Sequence, residues 1–292
     1  MKINLLVPVA LLGLLLLGSC ADSAKPQDAV SVADTTGISS SGTMKFEGEI
    51  ISVPSPVEVA ILIQKNKIPY KQELLNGLQN KSRYLNETKK ALNLGIYGAD
   101  LAYVANYNLG QINNDYFDAI AAMASELGIL ENIDKKLVAK INSSLGNRDS
   151  ILKMNADFFR VADRYLKSNE RPHLSTYILI GGWIESMHLT ADASAASAEL
   201  KSRLGEQKFT APGISAVAAK FDDPAFVQVK SELIKLCELL SSLKSNYTYK
   251  RPINDQREKI TYLLSQCVVE IDDEKLAEIK NQVSVVRNLI IE

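Results

Sequence analysis

The chain has only two histidines, His173 and His188, with three cysteines and one tryptophan among its 292 residues. So few histidines leave a His-dependent catalytic triad with few possible members, and no Gly-x-Ser-x-Gly elbow offers a nucleophile. Neither phosphate-cradling pattern, Gly-x-x-x-x-Gly-Lys-Ser/Thr or Gly-x-Gly-x-x-Gly, occurs. Charge of one sign is lacking as well. The 33 basic and 34 acidic residues give a net charge of −1 and are interspersed, so the chain as a whole carries no electrostatic footprint for nucleic acid or for an anionic membrane surface. Runs of β-branched residues and two-residue hairpin signals are scarce, which argues against an all-β fold.

What is present begins at the first residues. Lys2 supplies a positive start, Leu5 to Leu17 run apolar apart from Pro8 and Gly13, and Gly18-Ser19 lead into Cys20. This is the layout of a secretory signal peptide over residues 1–19; a spanning helix needs about 20 apolar residues. Leu17-Gly18-Ser19-Cys20 also resembles the lipobox of bacterial lipoproteins. The resemblance implies a diacylglycerol on the Cys20 thiol, loss of the preceding peptide, and a stable membrane anchor, since each buried methylene contributes about 0.8 kcal/mol. Asp22 is a weak match to the acidic cluster that sends some lipoproteins to the cell exterior. The expected location is therefore the outer membrane, facing the periplasm.

Residues 20–56 are rich in Ser, Asp, Thr, Gly and Ala, a composition that cannot offset its ordering entropy, and read as a flexible tether. Within it, Lys45 to Val53 alternates in part and suits a short strand without an evident partner. From Pro56 the pattern turns helical. Segments are expected at Pro56 to Lys65, Pro69 to Leu78, Asn86 to Asn106, Asn113 or Asn114 to Leu127 with Gly128 as terminator, Asn132 to Leu145 closed by Gly146, Asp149 to Lys167, Pro172 to Leu204, Pro224 to Ser245, Asn254 to Cys267, and Asp273 to Ile291. Leu233, Leu236, Leu240 and Leu243 form one apolar seam, and Leu276, Ile279, Val283, Val286 and Ile290 another. Short gaps favour antiparallel neighbours. The expected fold is all-α, an irregular multi-helix antiparallel bundle over 57–292 behind a disordered tether. A boundary near Asn169 to Pro172 would give two sub-bundles, 57–170 and 171–292; the weak stretch Gln207 to Pro224 is the other place for one.

Two helices stand out. In Asn93-Leu94-Gly95-Ile96-Tyr97-Gly98-Ala99-Asp100-Leu101, the residues Ala91, Gly95, Gly98, Ala102 and Ala105 make a small ridge that lets another helix approach closely. Asn93, Tyr97, Asp100 and Tyr107 make a second stripe. With Trp183, the residues Tyr97, Asp100 and Tyr107 are candidates for an aromatic and acidic ligand wall; the competing reading, which we favour, is a packed network that satisfies a half-buried Asp100. The other helix, around Tyr177-Ile178-Leu179-Ile180-Gly181-Gly182-Trp183-Ile184-Glu185, is apolar nearly all round and should be central. Behind a lipobox, these two stretches look like helical lipoproteins of Gram-negative envelopes, a group to which no activity or site residue is assigned.

Glu185-x-x-His188 and Glu170-x-x-His173 have the letters of a carboxylate-bridged di-metal pair. Pro172 interrupts the second, leaving only Glu185, His188 and Asp192 on one face, so no metal or other cofactor is expected. Asp222-Asp223 and Asp272-Asp273 fall at helix starts and suit capping. Cys237 and Cys267, about 10 Å out of step across a supposed helical hairpin, should be buried free thiols. The functional expectation is a membrane-anchored, non-catalytic binding or scaffold lipoprotein with an envelope protein as partner. A small-molecule binder is the alternative, and an enzyme using Glu185 and His188 is the least favoured.

Overall fold

The computed structural model describes residues 43–46, 49–130, 147–255, 257 and 259–292. The leader, Cys20, and the expected helix from Asn132 to Leu145 with Gly146 lie outside the described residues. The body is an all-α bundle with nine α-helices among the described residues and only short antiparallel strand pairs.

Two helices form the centre, α2 (Glu87–Ala105) and α5 (Pro172–Ala193). Every residue from Ala91 to Ala105 is buried. The ridge expected from sequence meets the glycine pair of α5. A Cβ added to Gly95 would fall on the Ile178 carbonyl oxygen and 2.6 Å from the Gly182 nitrogen, while one added to Gly181 would fall on the Leu92 carbonyl oxygen. The two backbones are in contact there, which only glycine permits at these two positions. On another side of α2, Gly98 makes room for the Phe159 ring of α4 (Arg148–Ser168).

Around this pair stand α1 (Pro56–Lys65), α3 (Gly110–Glu126), α6 (Ala198–Gly205), α7 (Gln207–Ala218), α8 (Val227–Ser241) and α9 (Asp273–Ile291). Capping explains most of the boundaries. Ser55, Asn86, Asn147, Ser197 and Asp272 each accept a backbone N–H of the first turn through the side chain, which satisfies a donor the helix cannot. Helix α3 ends in a Schellman cap with Gly128 at φ +70°: Ile129 N–H donates to the Ala124 carbonyl (2.8 Å) and Gly128 N–H to Ser125 (2.9 Å). Helix α4 ends the same way with Glu170 in the left-handed position, φ +58°, and Arg171 N–H donating to Leu166 (2.9 Å).

Several expectations need correcting. Pro69 to Leu78 is not an α-helix but a loop with a 3-10 turn at Gln72–Leu74, followed by another at Leu78–Arg83. Helix α3 begins at Gly110, not at Asn113 or Asn114. The long helix expected from Pro172 to Leu204 breaks at Ser194 into α5 and α6. The weak stretch after Gln207 is helix α7, with Pro212 inside it. The segment expected as tether contributes to the body: β2 (Glu49–Ser52) pairs with β1 (Thr43–Phe46), Ile51 and Val53 are buried, and Thr210 Oγ1 donates to the Ser52 carbonyl (2.9 Å). One continuous hydrophobic core runs from Ile51 to Ile290, across the proposed boundary near residue 170.

The largest correction falls between α8 and α9. Asn254 to Cys267 is not a helix. Strands β3 (Ser245–Thr248) and β6 (Gln266–Val269) pair, and β4 (Ile253–Asp255) pairs with β5 (Ile260–Tyr262) beyond them. Pairing passes from Thr248↔Gln266 to Ile253↔Tyr262, so four residues of one side face three of the other, a bulge in a single ribbon. We call residues 245–269 the arm.

Candidate functional site

The candidate wall does not form one surface. Tyr97 and Asp100 are both buried and belong to a polar cluster inside the bundle. Tyr107 lies in a separate group, with ring centroids 5.4 Å from Tyr70 and 5.0 Å from Tyr103. Its hydroxyl donates to the Ile68 carbonyl (2.7 Å), while Tyr103 Oη accepts the Lys71 N–H (3.0 Å). These tyrosines fasten the loop before the 3-10 turns onto α2. Trp183 faces another way again: Trp183 and Glu185, two residues apart on α5, point to different sides of the helix.

At the centre of the polar cluster is Arg287 of α9. It donates Nε–H to Glu185 Oε2 (2.6 Å), Nη2–H to Glu185 Oε1 (2.9 Å), and Nη2–H to the Leu74 carbonyl (2.8 Å). The geometry is bidentate, and this is the most deeply buried ion pair among the described residues. Asp100 is a second carboxyl beside it. Its Oδ2 accepts the Asn76 N–H (3.1 Å), whereas no donor among the described residues faces Oδ1, and its carboxyl lies against that of Glu185. One guanidinium cannot neutralise two buried carboxylates. A proton on Asp100 resolves both the charge and the orphaned oxygen. Burial first, and the Glu185 charge second, hold Asp100 well above the usual carboxylate range, with Arg287 opposing them.

The rest of the cluster is closed by backbone. Asn76 Nδ2–H donates to Tyr84 Oη (2.9 Å) and Asn93 Oδ1 (3.1 Å). Tyr116 Oη–H donates to the Asn76 carbonyl (2.9 Å), and Tyr97 Oη–H to the Gly77 carbonyl (3.1 Å). Asn93 Nδ2–H reaches the Ile290 carbonyl (2.9 Å), Tyr84 Oη–H the Ile291 carbonyl (3.3 Å), and Lys89 Nζ the Leu289 carbonyl. The last carbonyls of α9, which have no helical partner, are thus capped by side chains from α2 and its approach. Burial raises the Tyr84, Tyr97 and Tyr116 hydroxyls above their ordinary range, so they remain neutral donors.

The carboxylate and histidine letters do not assemble into a centre. Glu185 is spent on Arg287. His188 is held below its ordinary value, by burial first, and Asp192 accepts Lys71 Nζ (2.7 Å) and Lys280 Nζ (3.4 Å). Glu170 sits in the left-handed cap between α4 and α5, not one turn before His173 on a continuous helix. Among the described residues no three His, Cys, Asp or Glu side chains are placed to hold a metal ion. Asp272 caps α9 as expected, and Asp223 accepts the Ala225 N–H (2.9 Å) and the Thr88 hydroxyl.

Trp183 lines a cleft with Pro54, Met187, Thr190, Arg203 and Gln207 and donates Nε1–H to Gln207 Oε1 (2.8 Å). The cleft has a volume of ≈ 10 Å³, room for about one water. Neither Cys237 nor Cys267 forms a disulfide. Cys237 is buried, whereas Cys267, expected buried, is exposed on β6.

The arm is the part that sequence reasoning missed. Tyr247, Tyr249, Ile253, Ile260, Tyr262, Leu263, Leu264 and Val268 are all exposed, Leu263 by 78% and Tyr249 by 67%. Apart from Leu85, Phe209 and Val227, these are all the large exposed hydrophobic side chains among the described residues. No protein-family model, curated protein or solved structure matches the chain. No helix of the described residues is long and apolar enough to cross a membrane.

Proposed function

We propose that the chain is a non-catalytic docking lipoprotein, anchored through an acylated Cys20 and acting through contacts of its helical body. The reading of Cys20 rests on Leu17-Gly18-Ser19-Cys20 behind the apolar run; the expected place is the periplasmic side of the outer membrane. The observation that carries the functional half is the contrast between centre and arm. Groups that could do chemistry at the centre are paired with one another or with backbone: Glu185 with Arg287, Asp192 with Lys71 and Lys280, Tyr97 with the Gly77 carbonyl. The arm instead presents eight large apolar and aromatic side chains to solvent, a concentration that marks an interaction surface. A reactive centre needs acids, bases or nucleophiles that a substrate can reach. A small-molecule binder gains no support from a cleft of ≈ 10 Å³ beside Trp183.

Two measurements test the two halves. Growth with a labelled fatty acid should mark the wild-type chain and leave Cys20→Ser unmarked and released from the membrane fraction; a labelled Cys20→Ser chain would refute the anchor. A photo-crosslinking amino acid at Leu263 should give a discrete adduct in intact cells that the same group at exposed Leu85 does not. Equal adducts from both positions would refute the arm as the docking surface.

A further inference from the structure

Resting on that docking reading, we infer that the arm's partner is a bilayer surface carrying anionic phospholipid. Three features of the ribbon support it. The first is the arrangement of its apolar side chains. Ile253 pairs with Tyr262 and Asp255 with Ile260; since alternate residues share a face, Ile253, Ile260 and Tyr262 lie together on one side of the tip, with Asp255 as the one acid among them. Leu263, Leu264 and Tyr249 add three more exposed apolar side chains at the bulge, where Lys250 N–H donates to Ser265 Oγ (3.1 Å) and ties the inner ladder to the outer.

The second is charge. The tip from residue 250 to 259 holds Lys250, Arg251, Arg257 and Lys259 against Asp255 and Glu258, a net +2 in a chain whose total is −1. The even balance of the whole sequence hides a cationic end on an otherwise anionic molecule. Tyrosine rings and Leu or Ile side chains interleaved with Lys and Arg match the composition of a surface lying at headgroup level, with apolar parts toward the acyl chains and cations toward phosphates. Two copies meeting tip to tip would instead set like charge against like.

The third is the ribbon's incompleteness. Two strands exposed on both faces are marginal in water and gain from a surface that covers one face. The same two strands keep unpaired backbone groups along their outer edges, which hydrocarbon would not satisfy. The arm therefore lies along the interface and does not cross it. An acyl chain on Cys20 would hold the body near such a surface, and a lipid chain plus a basic patch is a combination that makes attachment stable.

The test uses the full chain carrying Cys20→Ser, labelled with an environment-sensitive fluorophore at exposed Cys267; buried Cys237, its thiol pushed up to about 12, does not compete. Vesicles of phosphatidylcholine with phosphatidylglycerol should raise the emission and move it to the blue, and phosphatidylcholine alone should not. High salt should weaken the response. Replacing Lys250 and Arg251 by Gln should weaken binding about thirtyfold, and Leu263→Asp with Leu264→Asp should abolish the shift. The same fluorophore at Leu85→Cys, with Cys267→Ser, should stay unchanged.

A response independent of phosphatidylglycerol, no response, or an equal response at Leu85 would overturn the inference. So would a shift that grows with protein concentration without vesicles, which would identify a second copy as the occupant. If vesicles fail while Leu263 still crosslinks in cells and Cys20 is acylated, the docking reading stands and the partner is a protein. If Cys20 proves unacylated while the phosphatidylglycerol response holds, the lipid-surface inference stands without the anchor.

Discussion

Gly95 and Gly181 line the same contact of α2 with α5 from opposite sides, each standing where a Cβ would occupy a carbonyl oxygen of the other helix, that of Ile178 for Gly95 and that of Leu92 for Gly181. Their neighbour Gly182 is different: an added Cβ there would lie 3.4 Å from the Gly95 carbonyl oxygen, ordinary contact distance. Adjacent glycines should therefore respond oppositely to the same substitution.

Alanine is favoured over glycine in a helix by about 1 kcal/mol, while forcing an extra methyl into a packed contact costs about 1–3 kcal/mol or more. Gly181→Ala and Gly95→Ala should lower the unfolding free energy by about 1–3 kcal/mol net, because the atom in the way is backbone. Gly182→Ala should be neutral or gain up to about 1 kcal/mol. Denaturant melts of the three variants check the ordering.

Asp100 should act as a neutral acid. A carboxyl whose folded value is raised contributes stability that is complete below the unfolded value near 3.8 and is lost as pH rises through the folded value. Asp100→Asn retains the acceptor for Asn76 N–H and offers a fixed donor toward Glu185. Its melting temperature should match the wild type near pH 4 and exceed it increasingly toward neutrality. A uniform loss at every pH would show that Asp100 is ionised and paired.

Replacing Glu185 should destabilise the fold. Glu185→Gln leaves the Arg287 guanidinium buried with no full counter-charge, and breaking a buried pair costs about 3–5 kcal/mol. Arg287→Met leaves two carboxyls without their cation and should cost a similar amount. The double variant Glu185→Gln/Arg287→Met should recover part of the loss, measured by a double-mutant cycle over these same two substitutions.

The two cysteines of the body should separate by reactivity. Burial pushes the Cys237 thiol up to about 12, and only the thiolate attacks disulfide reagents. In the Cys20→Ser chain, Cys267 should titrate rapidly in native buffer and Cys237 only after denaturant is added; equal native rates would place Cys237 at the surface.

The sequence spoke clearly where a helix face is one-sided or a cap is explicit. Helix α9 runs over Asp273–Ile291 as expected, and Asn86 and Asn106 bound α2. The small ridge and the Gly181-Gly182 pair were both visible, and their meeting explains both. The network around Asp100 was legible from α2 alone only as a stripe. Arg287 carried the missing signal: it stands four residues after Val283 and three before Ile290, on the apolar seam of α9, where a cation needs a buried partner. The arm was misread because Ile260, Leu263, Leu264 and Cys267 also fit helical spacing, and short apolar runs do not distinguish the two periods. Ile260-Thr261-Tyr262 and Val268-Val269 were the strand signals that should have outweighed it. The loop from Pro69 was misread because the tyrosines that hold it, Tyr103 and Tyr107, are more than 30 residues away. No local pattern contains such contacts.

Amide hydrogen exchange, comparing the purified protein with the same protein on its own membranes, locates the contact surface whatever the partner is. Added protection is expected across residues 249–264 of the arm, with α2 and α5 unchanged around Asp100 and Glu185. Protection gained beside Asp100 or Trp183 instead, with the arm exchanging as fast as before, would contradict the docking reading.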